Sequence, residues 1–315
     1  MLSLHNIVHG GKMKILLATD GSEYSKLAAE FLTRMNWSPD DSIKVFHAIY
    51  AIPFRYDEKF YFSTLKAIKK DIAPRVLDSA VAALRSVQAN ISVEIEEGSP
   101  NQCTPEQCII DAAESSGMDA IVMGARGIKG IESVFIGSVT RLVTIKSSKP
   151  VLVVKPTVRR KSDKMKILFA TDGSDYSLAT GEFLSSIPFP DDSEVTILNV
   201  VSSNFSDIPE RLVMEIDERI KEVVASTRAR EFTESEKIIE QARDNLNKRF
   251  KHIPALSKVG DPSTEILITA ETVGADIIAV GCRGLRGMKG IMGSVSRNIL
   301  THSKCSVLIG KTPKK

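Results

Sequence analysis

The stretch Met13–Ser22 reads MKILLATDGS, and Met165–Ser174 reads MKILFATDGS, which differs from it at one position. The match continues at the same offset through Glu30–Leu32 and Glu182–Leu184, both of which read EFL. Later landmarks keep their order in both halves, including a Gly-x-Pro turn and a glycine-rich loop. The chain is therefore an internal repeat, and the repeat predicts two similar domains rather than one large domain.

The predicted domain boundaries follow from the repeat and from a polar segment between its two copies. Residues 157–164 read TVRRKSDK after Pro156, a composition that is typical of a linker. We place the first domain at residues 1–156 and the second at residues 165–315. Each domain then has about 150 residues, which is a common domain size and enough to bury a core.

Short runs rich in Val, Ile and Leu alternate with helical segments in both copies. Most of these runs are continuously apolar, as strands buried on both faces are, and the alternation predicts a parallel sheet with right-handed crossovers. Each half is thus expected to be a five-stranded α/β unit. The predicted strands are 14–19, 43–49, 91–96, 120–124 and 151–154 in the first copy, and 166–171, 195–201, 253–259, 276–281 and 306–309 in the second.

The composition excludes several classes of protein. Hydrophobic residues make up 43% of the chain and charged residues 26%, which is ordinary for a globular protein. The net charge is only +3, with Lys and Arg spread along the chain, so nucleic acid is disfavoured as a partner. No apolar run reaches the length of a membrane span, and the first twelve residues lack the apolar stretch of a signal peptide. We therefore expect a cytoplasmic protein without a membrane partner.

The four cysteines, Cys103, Cys108, Cys282 and Cys305, do not form the spacing of a disulfide framework or of a zinc site. We therefore expect free thiols and no metal site. Cys282 is either a redox switch or a small packing residue, and the absence of an evident base or resolving cysteine favours packing.

A glycine-rich loop follows the fourth predicted strand of each copy and leads into a helical segment, 138–146 or 294–302. Backbone N–H groups in such a loop can surround a phosphate, because glycine permits close approach and a helix N-terminus carries partial positive charge. The first loop contains Gly124 and Gly127, then nine residues, then Gly137-Ser138. The second contains Gly281 and Gly284, then eight residues, then Gly293-Ser294.

Two aspartates, Asp20 and Asp172, lie at the carboxyl end of the first strand of each copy. Open α/β sheets bind ligands beyond the carboxyl ends of their strands, where the glycine loops also lie. The aspartates could face the base or ribose of a nucleotide, or they could only start the following helix. Their occurrence beside a glycine loop in both copies favours nucleotide binding.

The spacing Gly-x2-Gly-x9-Gly-Ser, the opening Ala-Thr-Asp-Gly-Ser and the Gly-x-Pro turn resemble the universal stress protein family, here as a tandem pair. The resemblance covers about Met13 to Gly310. It implies two tandem Rossmann-like α/β domains, and it places the chain with the members that bind ATP through this glycine pattern. We expect Mg²⁺ to be bound through the phosphates rather than by a protein cage.

The resemblance also implies which residues line each nucleotide site. In the first half they are Asp20, Ala48, Met123, Gly124, Arg126, Gly127, Gly137, Ser138 and Val139. In the second half they are Asp172, Val200, Val280, Gly281, Arg283, Gly284, Gly293, Ser294 and Val295. The second loop is one residue shorter than the family pattern, so either Gly293 and Ser294 are displaced, or Gly287 and Gly290 absorb the difference.

These features predict an ATP-binding stress-response regulatory protein. One alternative is a slow ATPase or phosphotransferase, although no positioned base and no P-loop lysine is evident. Another is a structural pseudo-dimer with vestigial sites, which the intact glycines of the first copy disfavour. The resemblance further implies that the two halves pair through their last strands as an intramolecular pseudo-dimer. The alternative is two independent domains joined by the linker, and a homodimer of the chain is left open in addition.

Overall fold

A strand opens each copy of the repeat, and strands and helices alternate through the described chain. The computed structural model describes residues 12–50, 58–98, 103–126, 136–156, 164–202, 218–285 and 292–312. These residues divide into two units. The predicted linker at 157–164 lies outside the described residues except for Lys164, so the linker stays a prediction.

The described part of the first unit contains five strands and four helices. They are β1 (Lys14–Ala18), α1 (Glu23–Leu32), β2 (Ser42–Ile49), α2 (Glu58–Ala83), β3 (Asn90–Glu97), α3 (Pro105–Ser115), β4 (Ala120–Gly124), α4 (Ser138–Lys146) and β5 (Val151–Val154).

The described part of the second unit repeats this order. Its elements are β6 (Lys166–Ala170), α5 (Asp175–Ser186), β7 (Glu194–Val201), α6 (Glu218–Leu246), β8 (Ala255–Val259), α7 (Pro262–Val273), β9 (Ile277–Gly281), α8 (Ser294–His302) and β10 (Ser306–Gly310). No helix among the described residues combines the length and the apolar character that a membrane span requires.

Each unit contains a parallel sheet, which confirms the predicted fold class. The order in the first unit is β3-β2-β1-β4-β5, and every one of these pairs is parallel. The second unit has the order β8-β7-β6-β9-β10, again with parallel pairs. Strand order reverses between β1 and β4 and between β6 and β9, so a crevice for a ligand is expected beyond the carboxyl ends of these strands.

The predicted strand ends agree with the structure to within two residues. The largest difference is at β8, which begins at Ala255 instead of residue 253. Pro254 explains this difference, because proline has no N–H group to donate to the ladder. Its carbonyl oxygen still accepts a hydrogen bond from Ile197 N at 2.9 Å.

An aspartate at the entry to β4 and β9 anchors the first strand of each unit. Asp119 accepts a hydrogen bond at Oδ2 from Lys14 N at 2.8 Å, across a sequence separation of 105 residues. Asp276 accepts the equivalent bond from Lys166 N at 2.9 Å, across 110 residues. The first bond fixes the start of β1 beside β4, and the second fixes the start of β6 beside β9.

The contact between the last strand and the first helix is made by different residues in the two units. The last residue of β10, Gly310, lies so close to α5 that a Cβ atom there would overlap Thr180 Oγ1 and lie 2.7 Å from Thr180 Cβ. Gly310 pairs with Gly281, just as Val154 pairs with Gly124 in the first unit. The repeat places Ala28 at the position of Thr180. The first unit therefore combines valine with alanine where the second combines glycine with threonine.

The expectation of four free thiols is wrong for Cys103 and Cys108, which are joined by a disulfide. Their Cα atoms are 5.8 Å apart, within the range that a disulfide spans. Cys103 precedes the N-cap of α3, Thr104, and Cys108 is buried in the first turns of that helix. Spacing did not predict the bond, because only the path of the chain into α3 brings the two sulfurs together. Cys282 and Cys305 are buried thiols.

Candidate functional site

The structure brings the glycine loop and the aspartate turn together at the predicted edge of each sheet. Ser22, two residues after Asp20, donates from Oγ to Arg126 O at 3.5 Å. Ser174 Oγ lies 3.3 Å from Arg283 O. The turn after the first strand and the loop after the fourth strand are thus directly connected in both units.

The aspartates do take part in starting the helices. Asp20 Oδ1 accepts a hydrogen bond from Ser22 N at 3.0 Å, and Ser22 caps α1 by accepting from Ser25 N. Asp172 Oδ1 accepts from Ser174 N at 3.1 Å and from Ser174 Oγ at 2.6 Å. One oxygen of each carboxylate therefore helps to start the following helix, which was one of the two interpretations of the sequence.

The other oxygen of Asp172 holds the second glycine loop. Asp172 Oδ2 accepts a hydrogen bond from Leu285 N at 3.1 Å. A Cβ atom on Gly284 would lie 2.5 Å from the same oxygen. A side chain at this position would therefore displace the carboxylate from its hydrogen bond with the loop, whether or not a ligand is bound. Gly127, its counterpart in the first loop, lies outside the described residues.

Two further glycines of the pattern are required by packing. A Cβ atom on Gly124 would lie 2.5 Å from the backbone carbon and oxygen of Tyr24 in α1. A Cβ atom on Gly281 would lie 2.9 Å from backbone atoms of Tyr176 and Ser177 in α5. These glycines let a strand end approach a helix closely, which is one of the roles glycine has in nucleotide-binding folds.

Gly293 differs from these, because the fold does not require glycine there. Its backbone has φ −61° and ψ 154°, which any residue adopts readily. A Cβ atom would have its nearest neighbour, Cys282 O, at 3.5 Å, which is an ordinary van der Waals contact. Gly137 has nearly the same backbone angles, φ −59° and ψ 148°. A ligand that approaches the backbone would explain a glycine at this position.

Both glycines are the N-caps of helices that lack a side-chain cap. Neither α4 nor α8 has a side-chain hydrogen bond at its N-cap. The first turn of each helix contains Ser138 and Val139, or Ser294 and Val295; the two serines are exposed and the two valines are half-buried. Backbone N–H groups at such a helix start, with the partial positive charge of the helix, suit an anion.

The shorter second loop does not displace its helix relative to the strand. Gly137 N donates to Ala125 O at 2.9 Å, and Gly293 N donates to Cys282 O at the same distance. Thr140 Oγ1 donates to Gly124 O at 2.9 Å, and Ser296 Oγ donates to Gly281 O at 2.6 Å. Of the two alternatives, the structure therefore supports absorption of the missing residue within the loop. Gly287 and Gly290, the expected absorbing residues, lie outside the described residues.

An arginine is held beside each loop by a tyrosine. The Arg126 guanidinium lies 5.5 Å from the ring centroid of Tyr24 and donates to its hydroxyl at 3.3 Å. Arg283 lies 5.0 Å from the ring centroid of Tyr176 and donates to its hydroxyl at 2.7 Å. Stacking and hydrogen bonding restrict the guanidinium in each unit to the neighbourhood of the loop.

The second strand of each unit is tied to the same edge. His47 Nδ1 lies 2.8 Å from Thr19 O, and Asn199 Nδ2 donates to Thr171 O at 2.8 Å. The residues that follow, Ala48 and Val200, are half-buried at the carboxyl ends of β2 and β7. The predicted positions Met123 and Val280 are buried within β4 and β9, immediately before the loops.

Lys311 is a buried cation beside the second loop that the predicted site does not include. It follows β10, and burial lowers the pKa of its ammonium group, with the Arg283 charge acting in the same direction and Cys282 opposing both. Burial also raises the pKa of the Cys282 thiol, which disfavours the reactive thiolate. A packing role for Cys282 is therefore favoured over a redox switch. The one sequence signal that could have identified Lys311 is its position directly after β10, because the carboxyl ends of parallel strands lie at the same edge of a sheet.

Comparisons with known proteins agree with the two units. The model of the universal stress protein family matches residues 12–155 and 165–311. A universal stress protein of Thermus aquaticus is 32% identical over 141 residues, which span 45% of this chain and 97% of that protein. The Methanocaldococcus jannaschii universal stress protein MJ0531 is 33% identical over 153 residues, which span 48% of this chain and 84% of that protein.

A solved structure that spans both units is similar in fold. The crystal structure of a universal stress protein from Archaeoglobus fulgidus covers 96% of this chain and 97% of its own, with a TM-score of 0.62 and 24% identity.

Proposed function

Because the chain belongs to the universal stress protein family, we propose that it is a regulatory protein that binds ATP at the carboxyl edge of each sheet. The observation that carries the proposal is Gly293, a glycine of the loop pattern that the fold itself does not require. It precedes a helix start without a side-chain cap, so unpaired N–H groups and the missing side chain coincide. A triphosphate at this position would explain both.

The remaining residues of the second site have distinct parts in this proposal. Arg283, held over Tyr176, supplies positive charge to the phosphates. Asp172 holds the described start of the loop through Leu285 N. Val200 lies at the end of β7, where its backbone would meet the adenine. Mg²⁺ would be bound through the phosphate oxygens.

The first site is proposed on the same grounds. Gly137 and Gly293 have matching backbone angles and matching hydrogen bonds to the residue after the fourth strand. Arg126 and Asp20 correspond to Arg283 and Asp172. Ala48 corresponds to Val200 at the adenine. The two sites are similar but not identical, so two affinities are expected.

A regulatory role is favoured over catalysis by the part that Asp172 has in the fold. Both of its carboxylate oxygens accept hydrogen bonds from the chain, and these bonds hold the turn and the loop together. The alternative is a slow ATPase. Any hydrolysis is expected to be slower than in ordinary enzymes, and release of phosphate at about 1 s⁻¹ or faster would contradict the regulatory role.

ATP binding is expected to weaken when the helix-start glycines gain side chains. Gly137→Val combined with Gly293→Val should weaken the binding of Mg-ATP at least tenfold at both sites, because each side chain would occupy space beside the phosphates. Isothermal titration calorimetry of the full chain measures this effect. Gly293→Val alone should affect one of two binding events.

Asn298→Ala is the matched control, because Asn298 is an exposed residue of the same helix, α8. It should leave ATP affinity unchanged. Gly293→Ala should lower the thermal midpoint of the protein only slightly, since its Cβ meets only ordinary contacts. If the parent chain does not bind ATP, or if the double valine variant folds and binds as tightly, the proposal is overturned.

We also infer that the two units form an intramolecular pseudo-dimer. The inference rests on the apolar sequence of the last strands and on the pairing through last strands that is common in the family. Within its own unit each of β5 and β10 lies at one end of the strand order. An apolar edge strand leaves backbone groups and side chains to be covered by a partner. Small-angle scattering of the full chain should fit one particle of fixed dimensions. A profile that requires two beads at variable separation would contradict the inference.

A further inference from the structure

Three side chains with metal-binding atoms meet beside β3 in the first unit. A carboxylate oxygen of Glu96 and the sulfurs of Cys103 and Cys108 all lie within 4.8 Å of one another. Glu96 belongs to β3, Cys103 lies just before the N-cap of α3, and Cys108 lies within that helix. Cys108 is buried, whereas Glu96 and Cys103 are half-buried. We name this group the Glu96 cluster.

The chain folds tightly to bring the two cysteines to Glu96. A Cβ atom on Gly98, two residues after Glu96, would lie 2.6 Å from Cys103 O and 3.2 Å from Cys108 Sγ. Cys103 therefore packs against the end of β3 at a distance that only glycine permits. Both sulfurs are fixed by this packing to the end of the strand that carries Glu96.

The equivalent place in the second unit, at the end of β8 and the start of α7, contains no cysteine. Glu96 is paired with Ala48 in the sheet, and Lys258 is paired with Val200 at the equivalent place. The helices α3 and α7 both begin with a proline after their N-cap, which puts Glu265 at the position of Cys108. Lys258 and Glu265 form an ion pair at 3.0 Å.

This comparison shows that the fold needs no thiols at this corner. In the second unit two opposite charges neutralise each other. In the first unit a carboxylate faces two sulfurs instead, and Cys103 belongs to a short insertion between β3 and α3 that the second unit lacks. The substitution of an ion pair by three metal-ligating groups is a specific property of the first unit.

Two thiolates and a carboxylate are a ligand set for a borderline-soft divalent cation. Zn²⁺ accepts Cys sulfur and Glu oxygen in a tetrahedral arrangement, and three protein ligands leave a fourth position for water. Mg²⁺ and Ca²⁺ prefer oxygen ligands only. The chemistry of the Glu96 cluster therefore selects zinc-like cations.

We propose that the Glu96 cluster binds Zn²⁺ when its disulfide is reduced. A dithiol reductant gives two electrons to the Cys103–Cys108 bond and becomes a disulfide itself, leaving two thiols on the chain. Zn²⁺ then binds both sulfurs and the Glu96 carboxylate, and the two thiol protons are released. Disulfide and bound metal are alternative states of one site. The proposal does not depend on nucleotide binding.

The test uses the full chain, reduced with a phosphine and freed of excess reductant without oxygen. Titration with Co²⁺ should give one equivalent of binding with a thiolate charge-transfer band and the visible bands of tetrahedral cobalt, and Zn²⁺ should displace the cobalt. Cys103→Ser should weaken binding at least tenfold and remove most of the thiolate band. Glu96→Gln should weaken binding while the thiolate band persists at high Co²⁺.

Glu265→Gln is the matched control, because it alters the same corner of the second unit and should leave Co²⁺ binding unchanged. A second measurement needs no variant: Zn²⁺ should protect two cysteines of the reduced parent protein from alkylation, and peptide mass spectrometry should identify them as Cys103 and Cys108. The proposal is overturned if the reduced parent gives no thiolate band, if the oxidised protein binds equally well, or if the protected cysteines are others.

Discussion

Gly124→Ala is expected to destabilise the first unit by about 3 kcal/mol or more, at the upper end of what overpacking usually costs. The new Cβ would lie 2.5 Å from the backbone carbon and oxygen of Tyr24, and 2.8 Å from its Cβ. A backbone neighbour cannot turn aside as a flexible side chain can. Either α1 or the end of β4 must move, and α1 carries the turn that holds Asp20.

Thermal unfolding of the full chain, followed by circular dichroism, measures this effect. From the sequence, a bulky residue at Gly124 would be expected to block the phosphates only. The structure instead predicts a destabilised first unit, whether or not a nucleotide binds there. Gly293→Ala is the control, since it makes the same chemical change in the same loop pattern with no close contact. Equal thermal midpoints for the two variants would contradict the assignment of their different roles.

Gly310→Val is expected to destabilise the second unit by a similar amount, and Thr180→Ala is expected to rescue it. The valine would overlap Thr180, which is fully buried and donates from Oγ1 to Tyr176 O. The double variant recreates the arrangement of the first unit, where Val154 and Ala28 occupy these positions. Volume-conserving exchanges are tolerated far better than an increase on one side alone.

A double-mutant cycle by chemical denaturation tests this coupling. The interaction free energy between the two changes should be favourable and about 1 kcal/mol or more, within the range seen for residues in contact. The corresponding exchange in the first unit, Ala28→Thr with Val154→Gly, should be coupled in the same sense. Additive effects in both units would show that Gly310 and Thr180 do not share one packing space.

The strands were predictable because each one leaves a local signal. Continuous apolar runs identified β4 and β5 to the residue, and the repeat made each assignment twice. The start of β8 was predicted two residues too early, because the prediction did not take the missing N–H group of Pro254 into account. Element order and parallel pairing then followed from the alternation of strands with helices.

The roles of the glycines could not be predicted from the sequence. Glycine serves close packing at Gly124 and Gly281, and it gives a carboxylate access to the loop at Gly284. Only Gly293 lacks such a reason within the described part of the second loop. The pattern shows where glycine stands but not which neighbour requires it, because those neighbours come from distant parts of the chain.

The disulfide was missed for a related reason. Cys103 and Cys108 are separated by a helix start, and their spacing matches no common motif. Their proximity depends on the close approach of both cysteines to Gly98. Such a path has no periodicity for a sequence to reveal.

The bond between Lys14 and Asp119 sets an order of events during synthesis of the chain. The two residues are 105 positions apart, so β1 leaves the ribosome long before its neighbour β4 exists. At roughly 5–20 residues per second, the wait is about 5 to 20 s. Throughout that time the apolar strand Lys14–Ala18 can pair with β2 but has an open edge on its other side. The nascent chain therefore presents an unpaired apolar edge to chaperones twice, once for each unit.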